Sequence, residues 1–165
     1  MGILRMLQRR RALRAFGKYR SPGVIEKVLR ETGSEIRPPE MQHFQFVVAL
    51  ADDTNPQDVP AMTSKIIGTL IQHRATVIDI SSSLFVALLG VPFSEGDSPR
   101  TRRELVEALL QNNGDRIRIA HGECDGAVGM FGSHERWTYG AVIPGFSGIL
   151  KKLIEIKSGI AAEIS

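Results

Sequence analysis

A chain of 165 residues is the size of one ordinary domain and long enough to bury a single core. Its 42% apolar and 24% charged residues are those of a globular protein, which excludes a low-complexity chain, and a lone cysteine, Cys124, excludes an internal disulfide framework. Arg5, Arg9, Arg10, Arg11, Arg14, Lys18 and Arg20 put seven basic and no acidic groups in the first twenty residues. The other 145 carry 14 basic and 18 acidic side chains, net −4, so the body offers no basic footprint for nucleic acid.

Residues 3–19 are predicted as an amphipathic helix, with Ile3, Leu4, Leu7, Leu13 and Phe16 set against the arginines. A second helix is expected from Ser21, a good N-cap, with Pro22 at its first position, where a missing N–H is harmless. Gly33, Pro38 and Pro39 mark residues 32–40 as a linker. The compact part opens with a buried strand over 43–52, followed by a helix over 56–73 with Val59, Met62, Ile66 and Leu70 at helical spacing. Two strands, 76–81 and 84–90, flank a serine turn as a hairpin. Ser98 and Pro99 start a helix running through Leu110, and Gly114 closes it. Residues 116–122 alternate in polarity and are expected at an edge or half-buried; 126–132 and 137–143 follow as a further strand pair. A last helix, 144–157, is predicted to turn Phe146, Ile149, Leu150, Leu153 and Ile154 inward.

The order is that of an α+β, ferredoxin-like βαββαβ fold, an antiparallel sheet with helices on one face, preceded by a basic N-terminal helix pair. The expected divisions are 1–20, the basic helix; 21–41, helix and linker; 42–160, the compact domain; and 161–165, a tail. The apolar runs 46–51 and 84–91 are far shorter than the roughly 20 residues that span a bilayer, and no signal peptide or myristoylation signal is read at the start.

Generic catalytic motifs are weak. Asp52 and Asp53 at a strand end suit one metal ion but equally a turn into Asn55-Pro56. Ser81, Ser82 and Ser83 are turn chemistry as readily as a phosphate site. Gly126, Gly129 and Gly132 miss the phosphate-loop spacings and suit a tight strand pair. His121, Cys124 and His134 match no standard zinc spacing.

Four ordered segments carry a resemblance. Residues 11–29 (RALRAFGKYRSPGVIEKVL) are similar to the segment joining a membrane or sensor region to many bacterial class III adenylate cyclases. Residues 73–92 (HRATVIDISSSLFVALLGVP) follow the family's central hairpin down to Gly90 and Pro92. GMFGSHERWTY (129–139) resembles its glycine turn and next strand, and VIPGFSGILKKL (142–153) falls where its catalytic helix stands. The chain thus resembles the class III nucleotidyl cyclase catalytic domain over about residues 11–158.

The resemblance implies head-to-tail dimers with active sites in the interface. Two aspartates of one chain hold two metal ions, and the partner supplies an Asn and an Arg for ribose and phosphate, with residues that read the purine. Two cations are needed to cancel charge on both the attacking and leaving oxygens. Mapped here, the first metal aspartate falls on Asp52, with Asp53 as substitute, and the second on Ser83, a neutral hydroxyl. The purine-reading lysine falls on Asp79 and its partner on Ala141. The Asn falls on Gly148, beside Ser147, and the Arg on Lys152, or Lys151 if the register slips by one. Lysine lacks the guanidinium fork. Both half-sites are damaged.

The expectation is therefore a degenerate cyclase-homology module that dimerises or serves as a scaffold in signalling. The alternatives are an active or partner-dependent adenylate or guanylate cyclase built on Asp52 and Lys152, and nucleotide binding without turnover. No cofactor is expected, and Mg²⁺ or Mn²⁺ only with residual activity. The expected partners are a second copy, a cyclase-like chain or a membrane protein, with Arg5, Arg9, Arg10, Arg11 and Arg14 facing an anionic membrane. The expected location is cytoplasmic, at the inner face of that membrane.

Overall fold

The computed structural model describes residues 39–52, 55–81, 83–92, 98–132 and 137–165. The two expected N-terminal helices, and with them the five arginines from Arg5 to Arg14, lie outside the described residues, as do Asp53, Ser82 and His134.

Strand β1 (Glu40–Ala51) is rich in aromatic and β-branched residues, and both of its faces are buried from Phe44 to Leu50 except for a partly exposed Leu50. A turn follows in which the Asn55 side chain accepts from the Gln57 backbone N–H at 3.1 Å and its carbonyl from that of Asp58 at 3.0 Å. Helix α1 (Val59–Gln72) therefore begins three residues later than Pro56, with Pro60 in its first turn. It leads to the hairpin of β2 (Thr76–Ser81) and β3 (Leu84–Leu89), and then to α2 (Pro99–Asn113). The Ser98 hydroxyl caps α2 by accepting from the Thr101 N–H at 3.1 Å, and Gly114, at φ +59°, ends it.

Strand β4 (Ile117–Gly132) is one continuous element where two strands are predicted. Glu123, Cys124 and Asp125 do not break it, because they stay paired with Gln45, Phe44 and His43 of β1. Residues 116–122 are consequently central rather than at an edge. Strand β5 (Trp137–Val142), helix α3 (Phe146–Glu155) and β6 (Ala161–Ile164) complete the chain. The last strand occupies most of the expected tail and runs parallel to Ile119–Gly122 of β4.

The strand order is β2-β3-β1-β4-β5, with β6 beside the first half of β4. Two cores follow from the alternation of β1. On one face Val47, Ala49 and Ala51 meet Ile66 and Leu70 of α1 and Leu105 and Leu109 of α2. On the other, Phe44, Phe46 and Val48 meet Ile149 and Leu153 of α3. The ferredoxin-like pair of helices shares one face, and α3 covers the second, which a strand apolar on both sides requires. Ile154, expected inward, is 67% exposed, because the buried stripe of α3 runs through Ile149 and Leu153, one turn apart.

Candidate functional site

The end of β1 and the β2–β3 turn meet. Leu50 pairs with Leu84, and the Ala51 N–H donates to the Ser83 carbonyl at 2.8 Å, so Asp52 and Ser83 share one end of the sheet. The Asp52 N–H donates to the Arg116 carbonyl at 2.9 Å. The Asp52 carboxylate already has two partners. Arg118 Nη2 lies 3.1 Å from its Oδ1, and the Ser158 hydroxyl donates to its Oδ2. The same guanidinium donates through Nη1 to the Ile154 carbonyl at 3.2 Å, near the end of α3. Both side chains are mostly covered, 22% exposed for Asp52 and 27% for Arg118.

Asp79 and Ala141 lie on β2 and β5, outermost in the strand order, yet Cα atoms of these strands come within 8 Å of each other. Asp79 is opposite Val86 and Ala141 opposite Val128, and both valines belong to the α3-side core. Cross-strand partners share a face, so Asp79 and Ala141 also stand on the α3 side. Asp79 is exposed and Ala141 is partly buried. Gly148 and Lys152 sit one turn apart on the exposed side of α3. A Cβ on Gly148 would meet nothing within 4 Å.

Of the zinc pattern, the described members His121 and Cys124 stand on opposite faces of β4. His121 faces α2, where Arg102 and Glu163 surround it, whereas Cys124 packs in the α3-side core. Among the described residues no group of three His, Cys, Asp or Glu side chains could hold a metal ion. Burial pushes the Cys124 thiol up, and Asp125 adds to that. Burial pushes His121 down, and the Arg102 guanidinium adds to that against an opposing pull from Glu163. Gly126 serves packing: a Cβ there would run into the Val142 carbonyl oxygen and lie 3.0 Å from the Phe44 ring.

Sequence reasoning misses Arg118 and Ser158. The only signal for Arg118 is its place on the polar parity of a strand that starts beside the end of β1. Ser158 carries none, being 106 residues from Asp52. Arg102, buried on α2, is likewise invisible as the partner of Glu163 and, at 3.7 Å, of Glu123.

No family model and no curated protein matches the sequence. Solved structures match the fold. The crystal structure of the guanylyl cyclase Cya2 aligns with a TM-score of 0.57 at 15% identity, covering 77% of each chain. The guanylate cyclase domain of RhGC from Catenaria anguillulae, in complex with GTP, aligns at 0.60 and 9% identity over 74% of this chain and 78% of that one. The adenylyl cyclase CyaB from P. aeruginosa aligns at 0.52 and 13% identity, covering 75% and 78%. A ferredoxin-like sheet with α3 on its second face, matched to both guanylyl and adenylyl enzymes, gives this chain the fold of the class III nucleotidyl cyclase catalytic domain.

Proposed function

We propose that this chain is a cyclase-fold module without turnover that acts in signalling by pairing, with a second copy or with a cyclase-like partner. The observation that carries the reading is the set of side chains at the resemblance-derived positions. Ser83 is uncharged, Asp79 is acidic where a purine-reading lysine is expected, and Ala141 and Gly148 offer no side-chain hydrogen bond. Lys152 keeps a charge but not the two-pronged geometry that grips a phosphate.

The donor set also suits a divalent ion poorly. Mg²⁺ takes near-octahedral oxygen ligands and is usually held by one or two carboxylates with substrate phosphates. Here the one described carboxylate at the end of β1 is engaged by Arg118 and Ser158, and its neighbour Ser83 brings no negative charge. Apolar cover on both faces keeps the fold independent of that chemistry, since each buried Leu or Phe contributes about 1.5–3 kcal/mol.

The test is incubation of the purified chain with ATP or GTP and Mn²⁺, alone and mixed with an active class III cyclase. The expected result is no cyclic nucleotide attributable to this chain. Product that disappears in Asp52→Asn would overturn the reading in favour of an active or partner-dependent cyclase.

A further inference from the structure

The ion pair at the end of β1 does more than weaken a metal site. Asp52 and Arg118 stand on the same face of neighbouring strands, since Arg118 pairs with Leu50, two residues before Asp52. The guanidinium makes one contact to the Asp52 carboxylate and one to the Ile154 carbonyl. Ser158, in the α3–β6 connection, donates to the other carboxylate oxygen. Two backbone bonds tie the same connection to β4: the Gly159 N–H donates to the Ile117 carbonyl at 2.7 Å, and the Ile119 N–H to that of Ile160 at 3.1 Å. A cation beside the last carbonyls of a helix also lies at the negative end of its dipole.

We propose that Arg118 is a built-in cation occupying the electrostatic place of a metal ion at Asp52, and that it turns a ligand carboxylate into a clasp holding the end of α3 against the end of β1. The assignment rests on the preceding reading only for identifying Asp52 with the metal-bearing strand end. A monovalent guanidinium covalently held by β4 satisfies the carboxylate permanently. A divalent ion binding there would meet that fixed positive charge at close range.

Two measurements on the full chain test this. Thermal unfolding in EDTA of Asp52→Asn, Arg118→Gln and the double variant should give a lowered Tm for each single change and a loss in the double clearly smaller than their sum, because the two share the Asp52–Arg118 interaction. Mn²⁺ binding, followed by the EPR signal of the free ion, should be at least about tenfold tighter in Arg118→Gln than in the parent chain, and Asp52→Asn should abolish the gain. A purely structural arginine would move the first measurement and not the second. Arg118→Lys, which keeps the charge but not the fork, should stay folded at a reduced Tm and keep Mn²⁺ binding as weak as in the parent, which covers the case in which Arg118→Gln does not fold. Additive Tm losses, equal Mn²⁺ affinity of the parent and Arg118→Gln, or Mn²⁺ binding by Arg118→Lys at the tighter affinity would each overturn the clasp. A chain that makes no cyclic nucleotide yet binds Mn²⁺ through Asp52 would sink this inference alone. Product formed without any need for Asp52 would sink the functional reading alone.

Discussion

His121 shows how much one buried ring depends on its neighbours. It lies on β4 under α2, 7% exposed, with Arg102 and Arg103 on the helix and Glu163 on β6 around it. Burial, and after it Arg102, hold its pKa below the ordinary value of about 6.5, so the neutral ring is the folded form. The unfolded chain takes up this proton as pH falls through about 6.5, and the folded protein only at lower pH. Over that window the unfolded state binds more protons, so stability is full above about pH 6.5 and falls below it. We expect Tm to drop between pH 7.5 and 5.5 and His121→Gln to drop less; equal losses would show that the ring is not the sensor. The nearby pairing of Arg102 with Glu163 follows the same logic, because a guanidinium 3% exposed needs an anion in contact. No residue pattern announces that pair, since α2 and β6 are far apart in the sequence and meet only over β4.

At the scale of elements, β4 is the organiser, and its glycines are set by what runs beside it. A Cβ on Gly122 would run into the Ile164 carbonyl oxygen and lie 2.9 Å from the Phe46 ring, so β6 can lie in place only if residue 122 has no side chain. Gly122→Ala should therefore cost about 1–3 kcal/mol, as overpacking does. Gly148, in an exposed turn of α3 with nothing within 4 Å of a new Cβ, should behave oppositely. Gly148→Ala should stabilise by up to about 1 kcal/mol, the helix preference of alanine over glycine. Urea unfolding of both variants checks the opposite signs, and a stabilised Gly122→Ala would mean that β6 does not pack as described. The glycine-rich sequence was legible as a tight, twisted strand region. That Gly122 answers to β6 was not, because 161–165 had the composition of a tail. The inward face of α3 was legible at Ile149 and Leu153 but not at Ile154, which is apolar yet stands one residue beyond Leu153, turned off the buried stripe.

At the scale of the whole molecule, two faces and two ends divide the roles. The α1–α2 face is a sealed core, and the α3 face carries Asp52, Asp79, Ala141, Gly148 and Lys152. No helix among the described residues is long and apolar enough to cross a membrane. If the arginine-rich start meets an anionic surface, each basic group near it contributes on the order of 1 kcal/mol. Deleting residues 1–20 should then abolish sedimentation with phosphatidylserine vesicles at low salt and leave the Tm of the remainder unchanged; retained sedimentation would place the contact elsewhere. By itself the sequence determined the order of elements from β1 to α2, the caps at Ser98 and Gly114, and a buried β1, because these follow from local periodicity and backbone preference. It also determined which side chains stand at Ser83, Asp79, Ala141 and Gly148, the positions onto which the resemblance maps the family's metal, purine and ribose groups. Only the tertiary structure decided that β4 is one central strand, that β6 closes its edge, and that Asp52 is held by Arg118 and Ser158. Each of these depends on long-range contacts between segments whose own composition is ambiguous, and only the folded sheet brings them within hydrogen-bonding distance.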